Sequence, residues 1–327
     1  MRIHYVLDDS AARLPLAIRS SEGVWDRAAE LRSSAGVQLV ELTTQHLVGT
    51  GVTLVDELAH YFDHGAPSDA DPYCLANCFA NRTALEDLLR DVREAYPGLV
   101  ALHEVAELFP LDFVRDLHFT LALTVVGYPA FGYVRTYVDS ESESYYGLVV
   151  NLAQARPHIE KMIGHFSLEA LINAIRHGFF NHEGFLLAYA AYCSEIGRVP
   201  ERPVDRARDE LMRRGIAWYL SYRHDFAFYD QLLGLSVDML ASYVDQCNAL
   251  LEGVNKKRGP DALEELLENQ QNGTPAWRCL DMTGYLAARS IAQVHGDEAL
   301  REAVAKGPLH FIQLYNRLGQ PSPKITI

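Results

Sequence analysis

The sequence predicts an α+β protein in which a small antiparallel or mixed β-sheet packs on one prominent helix, with largely helical regions on either side. Apolar residues recur at helical spacing up to about residue 109 and again from residue 167, whereas the stretch between them is rich in Thr, Val and aromatic residues. Helices, then strands, then helices is an order typical of α+β folds. We therefore expect an N-terminal helical region at 1–110, a sheet with its helix at 111–200, and a C-terminal helical subdomain at 201–327.

Three strands account for the β signal, and short polar or turn-rich segments separate them. Leu117–Val126, Phe131–Val138 and Tyr145–Leu152 have turn-length connections, including the acidic segment Asp139–Ser144, so they predict an antiparallel meander. Ser167 is a good N-cap for a long apolar helix that continues to about residue 194. Further helices are predicted at Thr53–Phe62, Thr83–Ala95, Val204–Tyr222, Phe226–Gly253, Asp261–Gln271, Met282–His295 and Asp297–Lys306.

Composition excludes several classes of function. The chain has 327 residues and a formal net charge of −14, which argues against nucleic-acid binding because phosphate recognition needs clustered Lys and Arg. No apolar run is long enough to cross a bilayer, and the N-terminal segment lacks the pattern of a signal peptide. Five scattered cysteines indicate free thiols in a reducing compartment. We expect a soluble, cytoplasmic protein, and the sequence leaves its oligomeric state open.

The segment 171–189 carries the most informative pattern. Asn173, His177 and Asn181 are four residues apart and form one polar stripe on an otherwise apolar helix. Buried polar side chains need hydrogen-bond partners. The stripe therefore indicates either core polar residues bonded to the backbone or the lining of a functional site.

The chain resembles a known family over about residues 108–316. Five features occur in order: the strands, His-Gly-Phe-Phe-Asn at 177–181, Arg-Gly-Ile-Ala at 214–217, Gly-Tyr at 284–285, and a closing pattern of Pro308, Phe311, Tyr315 and Asn316. They resemble the gluzincin-like group of zincin metallopeptidases, in which a sheet precedes a helix with the motif H-E-x-x-H. A later helix of that group supplies a third zinc ligand in a Glu-Gly-x-Ala context. The resemblance implies a zincin-like fold.

This chain departs from the family's pattern at the residues that carry the chemistry. The first His is kept as His177, but Gly178 stands at the position of the general base and Asn181 at that of the second His. Arg214 occupies the position of the third-ligand Glu and adds a permanent cation. These changes predict a metallopeptidase-like protein that has lost its zinc site, with neither a metal nor another cofactor.

A pocket with this lining predicts a different use, as in a pseudoenzyme or a repurposed biosynthetic enzyme. We expect Arg214, with Asn173 and Asn181, to bind an anionic group of a small molecule or peptide. His177 and Tyr285 are the candidate catalytic residues, because imidazole and phenol can move protons during isomerisation, cyclisation or elimination. The reaction would be metal-independent.

Two other classes of function remain open. A divergent metal-dependent hydrolase would use relocated ligands, namely His177, His182 and Glu183 with a distant residue such as His224 or Asp225. In α-helical geometry His182 projects about 140° away from His177, which disfavours this set. A non-catalytic interaction protein would fill the cleft with its own side chains.

Three other patterns have structural interpretations, and a fourth indicates a possible peptide-binding edge. Arg214 is spaced to form a salt bridge with Glu210, one turn earlier, as a structural alternative to ligand binding. The segment 102–107 (LHEVAE) predicts a solvated helix face, and His60 and His64 fit an exposed amphipathic helix better than a metal site. The strand 145–152 is the candidate sheet edge for pairing with an extended peptide.

Overall fold

The structure is a computed structural model of the 327-residue chain, and it describes residues 1–138, 144–256, 279–318 and 323–326. The chain forms two compact units, each assembled from separate parts of the sequence. Residues 2–100 and 116–176 form the unit that contains the sheet, called here the sheet unit. Residue 1 with 101–115 and 177–327 forms the second unit, called the helical unit.

The sheet unit contains a four-stranded mixed sheet, so the predicted α+β class is confirmed at that coarse level. The strand order is β1-β2-β4-β3, with β1 parallel to β2, β2 parallel to β4, and β3 antiparallel to β4. In this register Leu121 of β2 lies opposite Leu7 and Leu148. The strands are β1 (Arg2–Asp8), β2 (Asp116–Thr124), β3 (Gly132–Val138) and β4 (Ser144–Asn151).

Two predictions about the sheet are wrong. The strands do not form an antiparallel meander, because β2 pairs in parallel with β4, and β1 was not predicted. From Phe119 onward β2 is buried on both faces, as is typical of a central parallel strand, and such burial removes the alternation that marks a meander. The strand predicted as an open edge is also internal, because both hydrogen-bonding edges of β4 are taken by β2 and β3.

Helices make up most of the rest of the described chain. In chain order they are α1 (Ser10–Ala17), α2 (Ser21–Asp26), α3 (Ala28–Ser33), α4 (Ala35–Val48), α5 (Leu54–His64), α6 (Leu75–Ala80), α7 (Arg82–Glu94), α8 (Tyr96–Leu99), α9 (His103–Ala106), α10 (Ala155–Ile163), α11 (Leu168–Asn173), α12 (His182–Glu195), α13 (Pro203–Tyr222), α14 (Phe226–Leu232), α15 (Val237–Lys256), α16 (Cys279–His295), α17 (Asp297–Lys306) and α18 (Pro308–Asn316). None of the described helices combines the length and the apolar character needed to cross a bilayer.

Local signals fix many helix ends. The Thr53 side chain accepts a hydrogen bond from the Asp56 backbone N–H and begins α5, and Gly65, at φ 72°, ends it. The predicted helices that begin near residues 53, 83, 204, 282 and 297 are all present, with small shifts at their ends. The helix predicted at Phe226–Gly253 is instead two helices, α14 and α15, separated near Gly234, which has φ 63°. The helix predicted at 261–271 and the segment 139–143 lie outside the described residues.

The helix predicted from Ser167 is present, but its middle is not α-helical. The Ser167 side chain caps α11 by accepting from the Ala170 backbone N–H. The chain then passes through a π-helical segment, Ala174–Asn181, before α12 begins. Segments of this kind are uncommon, and their backbone hydrogen bonds join residues five apart instead of four.

In the helical unit, α13 packs most extensively against α16. Gly215 and Gly284 meet at the crossing, where a Cβ added to Gly215 would lie 2.2 Å from the carbonyl carbon of Gly284. The two backbones can approach this closely only because neither residue has a side chain. The glycines of two motifs that carry the family resemblance therefore have a packing role in this chain.

Candidate functional site

Glu104 is the centre of a polar cluster in the helical unit. It lies on the single-turn helix α9 and is only 6% exposed. Its Oε2 atom accepts a hydrogen bond from Nδ2 of Asn181 at 2.9 Å and lies 3.1 Å from Nε2 of His224. A guanidinium nitrogen of Arg223 is also 3.1 Å from the same oxygen. One buried carboxylate oxygen thus gathers three polar groups from two other chain segments.

His177 completes this group, which we call the Glu104 cluster: Glu104, His177, Asn181, Arg223 and His224. Nδ1 of His177 is 3.9 Å from Oε2 of Glu104 and 3.4 Å from Nδ2 of Asn181. The rings of His177 and His224 have centroids 4.1 Å apart. Within the described parts of the chain, Glu104, His177 and His224 are the one set of three potential ligands whose ligand atoms all lie within 4.8 Å of one another.

The electrostatics of the cluster favour an ionised carboxylate. Burial alone would raise the pKa of Glu104, but the hydrogen bond with His224 and the charges of Arg223, His224 and His177 outweigh it and hold the pKa below its ordinary value. Arg223 also donates to Asp297 at 2.9 Å, so its charge is shared between two carboxylates. With uncharged imidazoles, Glu104, Asp297 and Arg223 together therefore carry one net negative charge.

Two features of the sequence bring these side chains together. The π-helical segment places His177 and Asn181 on a buried face, and α13 ends at Tyr222, so Arg223 and His224 occupy the turn after it. The expectation that His177 and Asn181 share a face is confirmed by their 3.4 Å contact. Asn173, the third member of the predicted stripe, is exposed at the end of α11 in the sheet unit.

His182 and Glu183, considered as relocated ligands, contact a different part of α13. Nδ1 of His182 is 3.1 Å from Oε1 of Glu183, and its ring packs 4.6 Å from that of Trp218. Nε2 of His182 and Nε1 of Trp218 are buried without a described partner. The expected 140° separation from His177 assumed an α-helix throughout. Because the turn between them is π-helical, His177 and His182 both face the C-terminal part of the α13 region, at His224 and Trp218.

Arg214 is engaged in a buried ion pair. Its Nε and Nη2 atoms donate to the two carboxylate oxygens of Asp281 at 2.5 and 3.1 Å, and the side chain of Asp281 is 2% exposed. The salt bridge expected between Arg214 and Glu210 is wrong, because Arg213 pairs with Glu210 at 2.5 Å. Asp281 outcompetes Glu210 because it presents both oxygens to the planar guanidinium.

Tyr285 lies on α16 and is fully buried. Its ring contacts those of Tyr222 and Phe226, and its hydroxyl accepts a 3.5 Å hydrogen bond from Arg289. Burial raises its pKa to about 12, so the hydroxyl stays protonated at neutral pH. These contacts describe a packed aromatic side chain with a polar tip.

Sequence reasoning missed the residue on which the cluster depends. The interpretation of 102–107 as a solvated helix face holds for His103 and Glu107, which are exposed, but it is wrong for Glu104. The partners of Glu104 lie more than 70 residues away in sequence, at Asn181 and His224, so no local pattern could show its burial. The one available signal was an acidic side chain between the apolar residues of a short helix.

The remaining candidates have ordinary structural surroundings. The rings of His60 and His64 stack at 4.2 Å, while Glu57 is buried and accepts from the Ser68 backbone N–H at 2.7 Å. Asp225 caps α14 through the Phe228 backbone N–H. The five cysteines all lie within the described residues and are thiols rather than disulfides.

Comparisons of the chain with protein-family models, with curated proteins and with solved structures found no match. The chemistry of this protein therefore has to be inferred from the geometry of the Glu104 cluster.

Proposed function

We propose that the protein is a metal-dependent hydrolase whose metal centre consists of Glu104, His177 and His224. The observation that carries this proposal is the convergence of three ligand atoms, from three separate chain segments, to within 4.8 Å of one another. Two imidazoles and one carboxylate are the ligand set of many catalytic zinc sites, in which the fourth position is left for water or substrate. The sequence left open this class of function, but with a partly different ligand set.

The distances fit a zinc ion after small adjustments. Zinc bonds of roughly 2.0–2.1 Å in tetrahedral geometry place ligand atoms about 3.3 Å apart. Oε2 of Glu104 is 3.1 Å from Nε2 of His224 and 3.9 Å from Nδ1 of His177. All three ligand atoms lie within 4.8 Å of one another, so reaching that spacing shortens no pair by more than about 1.5 Å.

Two neighbours support the carboxylate. Asn181 donates to the same oxygen of Glu104 and, in the proposed site, fixes the carboxylate plane toward the imidazoles. Arg223 is a cation next to a proposed cation site, but Asp297 also binds it, so the two carboxylates and the guanidinium together carry one net negative charge. That charge favours a divalent ion over an empty site.

The proposed site is open on one side. His224 has a side chain that is 45% exposed, whereas those of Glu104 and His177 are 7% exposed. Water and substrate would approach past His224. A zinc ion at an open position supplies a Lewis acid that activates water near neutral pH. The buried carboxylate and its donors hold the ligands in place.

One observation favours a second candidate, the metal-independent acid–base enzyme predicted from the sequence. Glu104 already accepts hydrogen bonds from Asn181 and His224 and pairs with Arg223, so its described oxygen has partners without a metal. In that case Glu104 would orient an imidazole, and His177 would transfer protons to and from a small carboxylate-bearing molecule or peptide.

Metal analysis of the purified protein tests the first proposal. We expect about one zinc ion per chain after reconstitution of the chelator-treated protein, measured by plasma mass spectrometry and titration calorimetry. Glu104→Gln and His224→Asn each remove a ligand and are expected to weaken zinc binding by about a hundredfold or more. His60→Asn is the matched control, because His60 and His64 form another close histidine pair and that variant should keep the ion.

The outcomes separate the two candidates. Zinc binding that is unchanged in Glu104→Gln, or that is abolished in His60→Asn, would contradict the metal centre. A wild-type protein that binds no first-row divalent ion stoichiometrically would also reject it and leave the acid–base candidate, for which His177→Asn must abolish turnover while circular dichroism stays unchanged.

A further inference from the structure

The sheet unit contains a cavity of about 430 Å³, a volume within the range of small-molecule sites. One wall is formed by residues from the α6–α7 segment. They are polar at its N-terminal end and apolar toward its C-terminal end: Asn77, Asn81, Ala84, Leu85 and Leu88. Leu85 is 6% exposed, so this wall is anchored in the core.

The opposite wall begins where β4 ends. Leu152–Gln154 forms a 3-10 turn directly after the strand, and the Asn151 side chain caps it by accepting from the Ala153 backbone N–H. Arg156, Pro157 and Phe166 complete this wall. Because β2 and β4 are parallel, the cavity lies beyond a carboxyl end of the parallel part of the sheet, where open sheets with parallel strands commonly bind ligands.

Among the described residues that line the cavity, Arg156 has the one charged side chain. The guanidinium carbon of Arg156 lies over the ring of Phe166, 4.5 Å from its centroid, a cation–π contact that uses none of its N–H donors in a hydrogen bond. Its described ion pair is with Glu160 at 3.1 Å, and the two side chains are 65% and 44% exposed. An exposed pair one helical turn apart contributes little stability, so a better carboxylate can replace Glu160 at small cost.

We propose that this cavity binds a small aliphatic carboxylate. The chain of the ligand lies on Ala84, Leu85 and Leu88, and its carboxylate pairs with Arg156 above Phe166. The apolar floor selects for a hydrocarbon body, and the single cation at the rim selects for an anionic end. This site shares no residue with the Glu104 cluster and does not depend on the function proposed for it.

Titration calorimetry with octanoate and octan-1-ol tests the site on the full chain. We expect saturable binding of octanoate, and octanol to bind about fivefold more weakly, because it has the same chain without the charge. Arg156→Gln should weaken octanoate binding about fivefold and leave octanol binding unchanged. Arg90→Gln is the control, since Arg90 is also exposed, pairs with an acidic residue on its own helix and does not line the cavity.

A second pair of variants tests where the ligand binds without changing the charge of Arg156. Ala84 is exposed at the cavity wall, so Ala84→Trp fills the space and should abolish binding of both probes. Thr83→Trp adds the same indole one residue away, outside the lining, and should bind as the wild type does. Circular dichroism and thermal unfolding confirm that each variant is folded.

Three results would overturn the proposal. The first is the absence of saturable octanoate binding to the wild type. The second is unchanged binding in Ala84→Trp. The third is equal affinity for octanoate and octanol in the wild type, which would remove the role of Arg156.

Discussion

Two buried ionic groups in the helical unit differ in how completely they are paired. Arg214 and Asp281 bind each other through two parallel hydrogen bonds, and both side chains are largely buried. In the Glu104 cluster one carboxylate contacts an amide, a guanidinium and two imidazoles, and one imidazole reaches solvent. We call the first group the closed pair, after its described two-point contact, and the second the open group, because the His224 side chain is 45% exposed.

The difference teaches where chemistry can be located in this unit. Arg214 was the most conspicuous candidate in the sequence, because it replaces an expected ligand. The fork with Asp281 occupies two of the donors of Arg214 and partly neutralises its charge, so a second anion binds it less strongly. The imidazoles of the Glu104 cluster are not held in such a fork, and a neutral imidazole nitrogen can bind a metal ion or a proton.

The largest expected effect comes from opening the closed pair. Asp281→Asn leaves the guanidinium of Arg214 with a neutral partner, and we expect a loss of about 3 kcal/mol in the free energy of unfolding, measured in urea. Glu104→Gln should cost less, about 1–2 kcal/mol, because Arg223 keeps Asp297 as a partner. Equal losses in the two variants would remove the distinction between the groups.

The next effect concerns the helix crossing beside Arg214. Gly215→Ala forces a methyl group into the Gly284 backbone and should lower the free energy of unfolding by about 2–3 kcal/mol. Gly253→Ala is the control, because nothing lies within 4 Å of its added Cβ and it should raise stability by up to about 1 kcal/mol. A loss below about 1 kcal/mol in Gly215→Ala would show that α13 and α16 separate easily.

The smallest effect is the pH dependence of stability that Glu104 of the open group contributes. The folded state lowers the pKa of Glu104 below its ordinary value of 4.5, so the unfolded chain takes up this proton first as the pH falls. The contribution of Glu104 to stability is therefore complete above pH 4.5 and is lost as the pH drops through the folded-state pKa.

Urea unfolding between pH 3 and 6, in the presence of a chelator, measures this contribution. The stability difference between the wild type and Glu104→Gln should shrink as the pH falls through that range. A difference that grows toward low pH would mean that the folded state raises this pKa.

Sequence patterns predicted the parts of the fold that local chemistry controls. α5 and α13 have clear start signals and apolar spacing, and the segments rich in Thr and Val are strands. Strand order, in contrast, is not controlled by local sequence. Whether β2 pairs with β3 or with β4 depends on which neighbour buries it better, and neither turn length nor composition contains that information.

The site was predictable only where its residues lie on one helix. His177 and Asn181 could be paired by their spacing, and they are in contact. Glu104 comes from a helix of one turn, and His224 from the residues just beyond the end of α13, so their meeting depends on tertiary packing. Asp281, the partner of Arg214, lies 67 residues beyond it and could not be inferred.

The π-helical segment between residues 174 and 181 has a consequence for how this chain is aligned with others. Each residue of an α-helix turns through about 100°, so one extra residue in a widened turn offsets the phase of every later residue in the helix. A spacing rule for an unbroken α-helix puts His177 and His182 on different faces, whereas here both rings pack on the α13 region, at His224 and Trp218. A comparison of this helix with an unbroken α-helix therefore needs a one-residue gap inside the segment to keep the later residues in phase.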